Sequence, residues 1–482
     1  MTSFDSAWKV RNLRCVFLLL FITGTAISAE SAAETHLEAV WEGTLNVGAI
    51  KLKLVFDLKK KTDGSWNASM DSPDQGAFGI KIDNVVQDKE TLALEIKRLN
   101  GRFEGKLSDD KKKIDGQWKQ GGKSFPLVLS PGTKSPPLKR PQEPKRPFPY
   151  DEIDVSYANS VGKAKFAGTL TRPRAQGRYP AVLLITGSGS QNRDEELFGH
   201  KPFLVLSDAL TRRGLAVLRV DDRSVGGSTG DVANATTEDF VTDVMAGIEF
   251  LRSRSDIDGD RIGLLGHSEG ANIAVEIAAK SDLTTFIVLL GTTTVPGDEL
   301  LLKQAELISR ASGAAEAAIR QNRDLQEGLF LAVKSSTDRT TAEANVDRFL
   351  GEWKRNLPAA DAISLNDATL KAEAQKVMSP WFRRFLQHNP QHDIERVRCP
   401  ILALFGGRDL QVAPDQNRLP LEAALKTSGH GDHEIRVFPS LNHLFQTSNT
   451  GLPSEYGTIE ETISPDVLTV IGDWILKHTV KK

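Results

Sequence analysis

Two hydrophobic patterns divide the chain. From about Leu37 to Leu129 apolar and polar residues alternate with a period near two, as in Ile50–Phe56 and Leu92–Ile96, which is typical of strands with one buried face. Turn sequences that tolerate positive φ separate the runs: Asp63-Gly64, Asp74-Gln75-Gly76, Asn100-Gly101 and Asp115-Gly116. The pattern predicts about seven hairpin-linked strands in a small all-β barrel or sandwich domain over residues 30–130.

After Tyr150 the pattern changes to short apolar runs that alternate with helical stretches. Two antiparallel-looking strands, Ile153–Tyr157 and Ala164–Leu170, come first. Most later runs are continuous enough for burial on both faces of a parallel sheet: Ala181–Thr186, Ala216–Val220, Ile262–Leu265, Thr285–Leu290, Ile401–Phe405 and Glu434–Phe438. The helical stretches between or after them include Pro202–Arg213, Thr237–Ser253, Asn272–Ser281, Arg418–Thr427 and Pro465–Lys477. This alternation predicts an α/β fold with a doubly wound, mostly parallel sheet.

Two further segments differ from both patterns. Seven prolines fall between positions 131 and 149, and proline favours extended, stiff backbone, so residues 131–149 are predicted to be a linker. The α/β domain is then residues 150–482. Within it, about 293–398 is rich in Ala, Glu, Gln and Leu without a strand-like run, which predicts a helical cap over the sheet edge.

The N-terminus has the order of a secretory signal peptide. Basic residues Lys9, Arg11 and Arg14 precede the apolar run Cys15–Ile22, and small residues follow as far as Ala29. Because that run is far shorter than the roughly 20 residues that span a bilayer, we expect residues 1–29 to be cleaved and leave no stable membrane anchor. The mature protein would be secreted or periplasmic.

Composition narrows the function classes. The 482 residues include 61 Lys+Arg and 63 Asp+Glu, a formal net charge of -2, so there is no overall basic field to hold nucleic acid. With 39% hydrophobic and 26% charged residues, the chain is neither disordered nor a polytopic membrane protein. After cleavage Cys399 is the one cysteine left, so no internal disulfide is expected.

The strongest chemical signal is Gly266-His267-Ser268-Glu269-Gly270, which directly follows an apolar strand and directly precedes a helix. A serine raised on a sharp strand-to-helix turn needs glycine two positions to either side, because side chains there would collide with neighbouring backbone. Ser268 is therefore the predicted nucleophile. A second stretch with the same spacing, around Ser228, is separated from its strand and has no helix after it, so we interpret it as a glycine-rich surface loop.

A serine nucleophile needs a base and an acid that orients it. Asp409 follows the strand Ile401–Phe405, and His443 follows the strand that ends at Phe438; the order Ser, Asp, His is that of α/β-hydrolases. Asp415 is an alternative acid on the same loop. The other histidines considered lie in polar stretches and are interpreted as surface residues: His200, His388, His392, His430, His433 and His478.

An oxyanion hole requires main-chain N–H groups beside the nucleophile. We assign one to Ser188, in the Gly/Ser run that follows Ala181–Ile185, with Gly189 as the near alternative, and the other to Glu269. A phosphate cradle is disfavoured because no Gly-Lys-Ser/Thr follows. The chemistry requires no metal and no organic cofactor.

Residues 150–482 resemble secreted bacterial carboxylesterases of the α/β-hydrolase superfamily. The matching stretches are Thr186–Glu195, Lys201–Leu204, Val217–Arg223 and Gly266–Gly270. The resemblance implies hydrolysis of short acyl esters by the triad named above. Ser224 and Gly227 stand where these enzymes tend to have Gly and Lys, a departure on the substrate side, and the N-terminal β domain lies outside the resemblance.

Two other functions stay open on sequence alone. A serine peptidase could use the same fold and triad. Alternatively, the β domain could bind glycan, cell wall or protein beside a vestigial hydrolase, with Trp41, Trp66 and Trp118 stacking on sugars, although tryptophans at this spacing are more often core residues. The leading hypothesis is a serine esterase with a small-molecule ester substrate and no nucleic-acid partner.

Overall fold

The computed structural model describes residues 37–47, 50–75, 77–120, 122–134, 139–358 and 367–480. The predicted signal peptide, residues 1–29, lies outside these ranges, so its cleavage and the extracytoplasmic location remain predictions. None of the helices in the described ranges has the length and apolarity that crossing a bilayer requires.

The N-terminal unit is one antiparallel nine-stranded sheet, curved into a half-barrel. Its strands are β1 Val40–Val47, β2 Ile50–Lys60, β3 Trp66–Ser72, β4 Ala77–Lys81, β5 Asn84–Asp88, β6 Thr91–Ile96, β7 Gly101–Leu107, β8 Ile114–Gln120 and β9 Lys123–Pro131. Their order is β4-β3-β2-β1-β9-β8-β7-β6-β5. The prediction of about seven strands was wrong because β4 and β5, the two edge strands, have five residues each and show too little alternation.

Aromatic side chains fill the core of this sheet. Trp41, Phe56, Phe103 and Trp118 are buried, and the Phe56 ring lies 5.9 Å from that of Phe103 and 6.5 Å from that of Trp118. Trp66 packs at the margin of the core. Trp41 and Trp118 are therefore core residues and cannot stack on a sugar. Glycan binding by this domain stays a prediction, but it would need other residues.

The second sheet has eight strands. They are β10 Tyr150–Asn159, β11 Ala164–Pro173, β12 Tyr179–Ile185, β13 Ala216–Val220, β14 Ile257–His267, β15 Ile287–Leu290, β16 Ile401–Gly406 and β17 His433–Phe438. The order is β10-β11-β13-β12-β14-β15-β16-β17. The first two strands are antiparallel and the last six run parallel, which confirms the mostly parallel sheet. β17 is the exception to double-sided burial, because it is the edge strand and most of it is partly exposed.

Helices cover both faces of this sheet. They are α1 Pro202–Arg212, α2 Thr237–Ser253, α3 Glu269–Lys280, α4 Gly297–Ala311, α5 Glu316–Lys334, α6 Arg339–Arg355, α7 Asp367–Val377, α8 Pro380–Gln387, α9 Gln391–Ile394, α10 Pro414–Thr427, α11 Pro453–Tyr456 and α12 Pro465–Thr479. One core contains residues of α2, α3 and α10, and the other contains residues of α1 and α12. The sheet is thus doubly wound, and α4 to α9 form the helical insertion between β15 and β16.

The proline-rich segment is bound to the second unit through Arg140. Its guanidinium donates hydrogen bonds to four main-chain carbonyls, those of Phe198, Gly199, Gly457 and Ile459. The N-terminal unit also reaches this region, since its turn Pro73–Gln75 lies beside α11. The segment therefore does more than separate the two units, because part of it completes the surface of the second one.

Candidate active site

Ser268 occupies a strained turn between β14 and α3. Its φ is 55° and its ψ is -117°, a region that non-glycine residues adopt only where the surrounding structure enforces it. A Cβ on Gly266 would lie 2.1 Å from the Gly270 carbonyl oxygen, and one on Gly270 would lie 2.2 Å from the Ile185 carbonyl oxygen. Both glycines are therefore required by close backbone contacts, as the sequence pattern predicts.

Asp409 and His443 form a hydrogen-bonded pair after neighbouring strands β16 and β17. Asp409 Oδ2 lies 2.7 Å from His443 Nδ1, and its other oxygen accepts the main-chain N–H groups of Gln411 and Val412 at 2.8 Å. Both side chains are buried. Asp415, the alternative acid, is exposed in the first turn of α10. The arrangement fixes the ring with Nδ1 toward the acid, which leaves Nε2 for a proton transfer.

The serine lies beside this pair at the carboxyl edge of the sheet. The Ser268 main-chain N–H donates to the Leu290 carbonyl at 2.8 Å. A Cβ on the next residue, Gly291, would lie 3.3 Å from His443 Cε1 and 3.6 Å from Asp409 Oδ2. Within the described residues the Ser268 hydroxyl makes no hydrogen bond to His443, and such bonds often tighten only in the substrate complex.

The predicted oxyanion donors flank the serine on two sides. A Cβ on Gly187, which precedes Ser188, would lie 3.3 Å from Ser268 Cβ. The Gly187 N–H is itself occupied, because it donates to Glu195 Oε1 at 2.8 Å. Glu269 is the first residue of α3, so its N–H has no acceptor within the helix and lies at the positive end of the helix dipole. Gly189, the alternative, has φ 97°.

Sequence reasoning missed a second buried acid–histidine contact beneath the site. Glu195 Oε1 lies 2.9 Å from His267 Nδ1, and His267 Nε2 lies 3.0 Å from the carbonyl oxygen of His443. Burial disfavours a charged ring, but the Glu195 carboxylate, the hydrogen bond with the His443 carbonyl and the charge of Asp409 together hold the pKa of His267 above its ordinary value. His267 therefore connects the oxyanion loop, through Glu195, to the backbone of the catalytic histidine candidate. Its position between Gly266 and Ser268 was the available signal.

Asp222 holds the start of the oxyanion loop. Its Oδ1 accepts the Thr186 hydroxyl at 2.9 Å, and its Oδ2 accepts the Gln191 N–H at 2.8 Å. Complete burial raises the pKa of Asp222 to about 8, although both hydrogen bonds act in the opposite direction. The neutral acid thus dominates at neutral pH, and it fixes both ends of the Gly/Ser run.

The polar residues that carry the family resemblance also hold this loop. Arg193 pairs with Asp221 at 2.7 Å, and Arg219 pairs with Asp194. Both arginines join the segment after β12 to the end of β13.

Ser228 is buried, and the prediction that it lies on a surface loop was wrong. Its hydroxyl donates to the Asp221 carbonyl at 2.7 Å and accepts the Ala167 N–H at 2.9 Å. Its role is structural.

His200 is buried, and the interpretation of it as a surface residue was wrong. Desolvation lowers its pKa to about 4.

Glu276, His388 and Asp393 bring three possible metal ligands together. Lys280 and Arg384, however, both bind Glu276, at 2.9 and 3.2 Å, so this cluster is already neutralised as an ion-pair network. The described residues thus give no support for a bound metal there.

A comparison with protein families agrees with the fold. A model of the alpha/beta hydrolase family matches residues 182–451, more than half of the chain. Esterase EstD of Thermotoga maritima is 25% identical over 332 residues, 69% of this chain and 69% of its own length. The putative hydrolase YtaP of Bacillus subtilis is 28% identical over 138 residues, 25% of this chain and 46% of its own. Among solved structures, an esterase of Pyrococcus furiosus, Pf2001, aligns with 72% of this chain and 99% of its own at 15% identity and a TM-score of 0.42.

Proposed function

Because the chain belongs to the alpha/beta hydrolase family, we propose that it is a serine hydrolase that cleaves short-chain carboxylic esters through an acyl-enzyme intermediate. The observation that carries the proposal is the 2.7 Å contact between Asp409 and His443 beside the strained turn at Ser268. The similarity to an esterase over two thirds of the chain supports the ester as substrate.

The proposed reaction begins with attack of Ser268 Oγ on the ester carbonyl carbon. His443 Nε2 takes the hydroxyl proton, and Asp409 stabilises the imidazolium that forms. The N–H groups of Ser188 and Glu269 donate to the tetrahedral oxyanion, where each such donor is worth about 10²–10³ in kcat. Collapse of the intermediate releases the alcohol, which takes the proton from His443.

Deacylation repeats these steps with water. His443 removes a proton from a water molecule, whose oxygen attacks the acyl carbonyl, and Ser268 leaves with the returned proton while the carboxylic acid departs. The triad alone does not separate esters from amides, so an aminoacyl anilide belongs in the substrate panel.

The decisive test is S268A, assayed with p-nitrophenyl acetate and butyrate. The variant should lose about 10⁴–10⁶ in kcat, and a fluorophosphonate should label the wild-type peptide that contains Ser268. S228A is the matched control for labelling, because Ser228 lies in the same Gly-x-Ser-x-Gly spacing away from the site. Wild-type turnover by S268A, or labelling elsewhere, would refute the proposal.

A further inference from the structure

The side chain of Glu269 is buried at the meeting point of three separate parts of the fold. Its Oε1 accepts the indole N–H of Trp381 at 2.6 Å and the hydroxyl of Thr237 at 3.1 Å. The Ser188 side chain also acts on this carboxyl and lowers the pKa of Glu269, against the rise that burial causes. The carboxyl therefore joins the cap helix α8 to helix α2 by hydrogen bonds and interacts with the oxyanion loop at Ser188. The N–H of Ser188 is a proposed oxyanion donor.

The cap helix α8 contacts the nucleophile helix α3 at two places. Trp381 binds Glu269 at the first residue of α3, and Arg384 binds Glu276 two turns further on, at 3.2 Å. Arg384 also pairs with Glu238 on α2. Both contacts join the cap to the core, but only the Trp381 contact involves the residue that follows Ser268. A variant of Arg384 therefore tests the attachment of the cap alone, whereas a variant of Trp381 also tests the position of the active-site residues.

Trp381 also begins an apolar surface that runs across the site. Its ring stacks on Phe385 with centroids 5.4 Å apart and planes 7° from parallel. Phe385 packs in turn against Val295, Leu300 and Val412. Val412 donates its N–H to Asp409, so this surface reaches from the residue after the nucleophile to the residues beside the acid.

We propose that Glu269 and Trp381 are a positioning pair that aligns both oxyanion donors and holds the Trp381–Phe385 stack as the wall that receives the acyl group. The inference rests on the proposed function, because it assigns a role within that reaction. Neither side chain is a catalytic residue: the carboxyl acts through the Glu269 main chain and through Ser188. A displacement of about 1 Å in such a site costs up to about 10²-fold in rate.

The test compares W381F, which removes the N–H but keeps a ring, with R384Q, which breaks the other cap contact. W381F should lower kcat for p-nitrophenyl acetate about tenfold and change KM less than threefold, because oxyanion contacts are made in the transition state. R384Q should reduce the melting temperature at least as much as W381F and change kcat less than twofold.

Glu269 supplies the conservative rescue. E269M removes the Thr237 and Ser188 contacts as well as the Trp381 contact, so it should lose at least as much kcat as W381F, and E269Q, which keeps an amide oxygen toward Trp381, should recover most of that loss. The double variant E269M/W381F should be no worse than E269M, because E269M already lacks the Trp381 interaction. KM for p-nitrophenyl octanoate should rise in W381F more than KM for the acetate.

Two results would overturn the inference while Ser268 labelling and S268A behave as proposed. One is an unchanged kcat in folded W381F and E269M. The other is a loss of kcat in R384Q as large as that in W381F, which would mean that the Trp381 contact only attaches the cap to the core. If S268A itself keeps wild-type turnover, the proposed function fails first, so the two failures are distinguishable.

Discussion

Single residues decide whether this turn can hold a reactive serine. Ser268 has positive φ, and the glycines two residues to each side leave no room for a side chain. The sequence predicted this turn correctly because the requirement is local. It favoured Asp409 but left Asp415 as an alternative, since both follow β16 closely and only the folded loop shows which carboxyl reaches His443.

The acid is tested by D409N. Asn keeps the size of Asp409 but cannot stabilise the imidazolium, and it disfavours the required tautomer, so kcat should fall about 10⁴-fold. D415N, at an exposed position on the same segment, should keep wild-type kcat. Ester hydrolysis by both purified variants, with circular dichroism as the folding check, measures this. Equal losses in the two would contradict the assignment.

The glycine requirement is tested by G270A. The added Cβ would lie 2.2 Å from the Ile185 carbonyl oxygen and 2.6 Å from that of Thr186, so the free energy of unfolding should fall by about 1–3 kcal/mol and activity should be lost. G351A is the matched control: a Cβ there meets no atom within 4 Å. In the interior of α6 it should raise that free energy by about 0.5–1 kcal/mol. Urea unfolding distinguishes the two, and equal changes would refute the steric argument.

At the scale of elements, the oxyanion loop depends on buried acids from elsewhere in the chain. Asp222 follows β13 and holds both ends of the Gly/Ser run, while Glu195 connects Gly187 to His267. Neither role was predictable from the sequence, because hydrophobic periodicity gives the strands but not which loop side chains meet. The contact of Trp381 with Glu269 is even harder to predict from the sequence, because 112 residues separate the two.

Asp222 should make stability depend on pH. Its pKa is raised to about 8 in the folded chain against an ordinary value of about 4, so the unfolded chain releases this proton first as pH rises. This contribution to stability is therefore full below about pH 4 and is lost as pH rises through about 8. In D222N the free energy of unfolding should decline less between pH 5 and 8. Urea midpoints at each pH test this, and identical slopes would contradict it.

At the scale of the whole molecule, the sequence placed the change of pattern near residue 150, but the packing extends further back. Proline content predicted an extended segment, and composition could not show that Arg140 donates to four carbonyls of the second unit. Gln142 adds to this contact, since its side-chain oxygen accepts the Thr462 N–H at 2.6 Å. The sequence did predict that an all-β unit precedes an α/β unit, because the hydrophobic patterns of the two differ in period.

Removal of this guanidinium should loosen the second unit. R140A leaves four carbonyls without their donor, so unfolding should cost about 1–3 kcal/mol less, and V8 protease, which cleaves after Glu, should cut the loops around residues 198 and 458 sooner. R146A is the control in the same segment, because Arg146 is exposed and its pairing with Glu152 should be worth under about 1 kcal/mol. Equal melting temperatures for R140A and wild type would refute this.

The guanidinium contact also bears on where an autonomous hydrolase could be cut from this chain. A truncation that starts at Tyr150, where the strands of the second sheet begin, would discard the donor that two of its own loops use. A fragment that starts at Lys139 would keep it. If N-terminal domains are exchanged between such enzymes, the fusion point should therefore lie before Arg140, inside the proline-rich segment and not at its end.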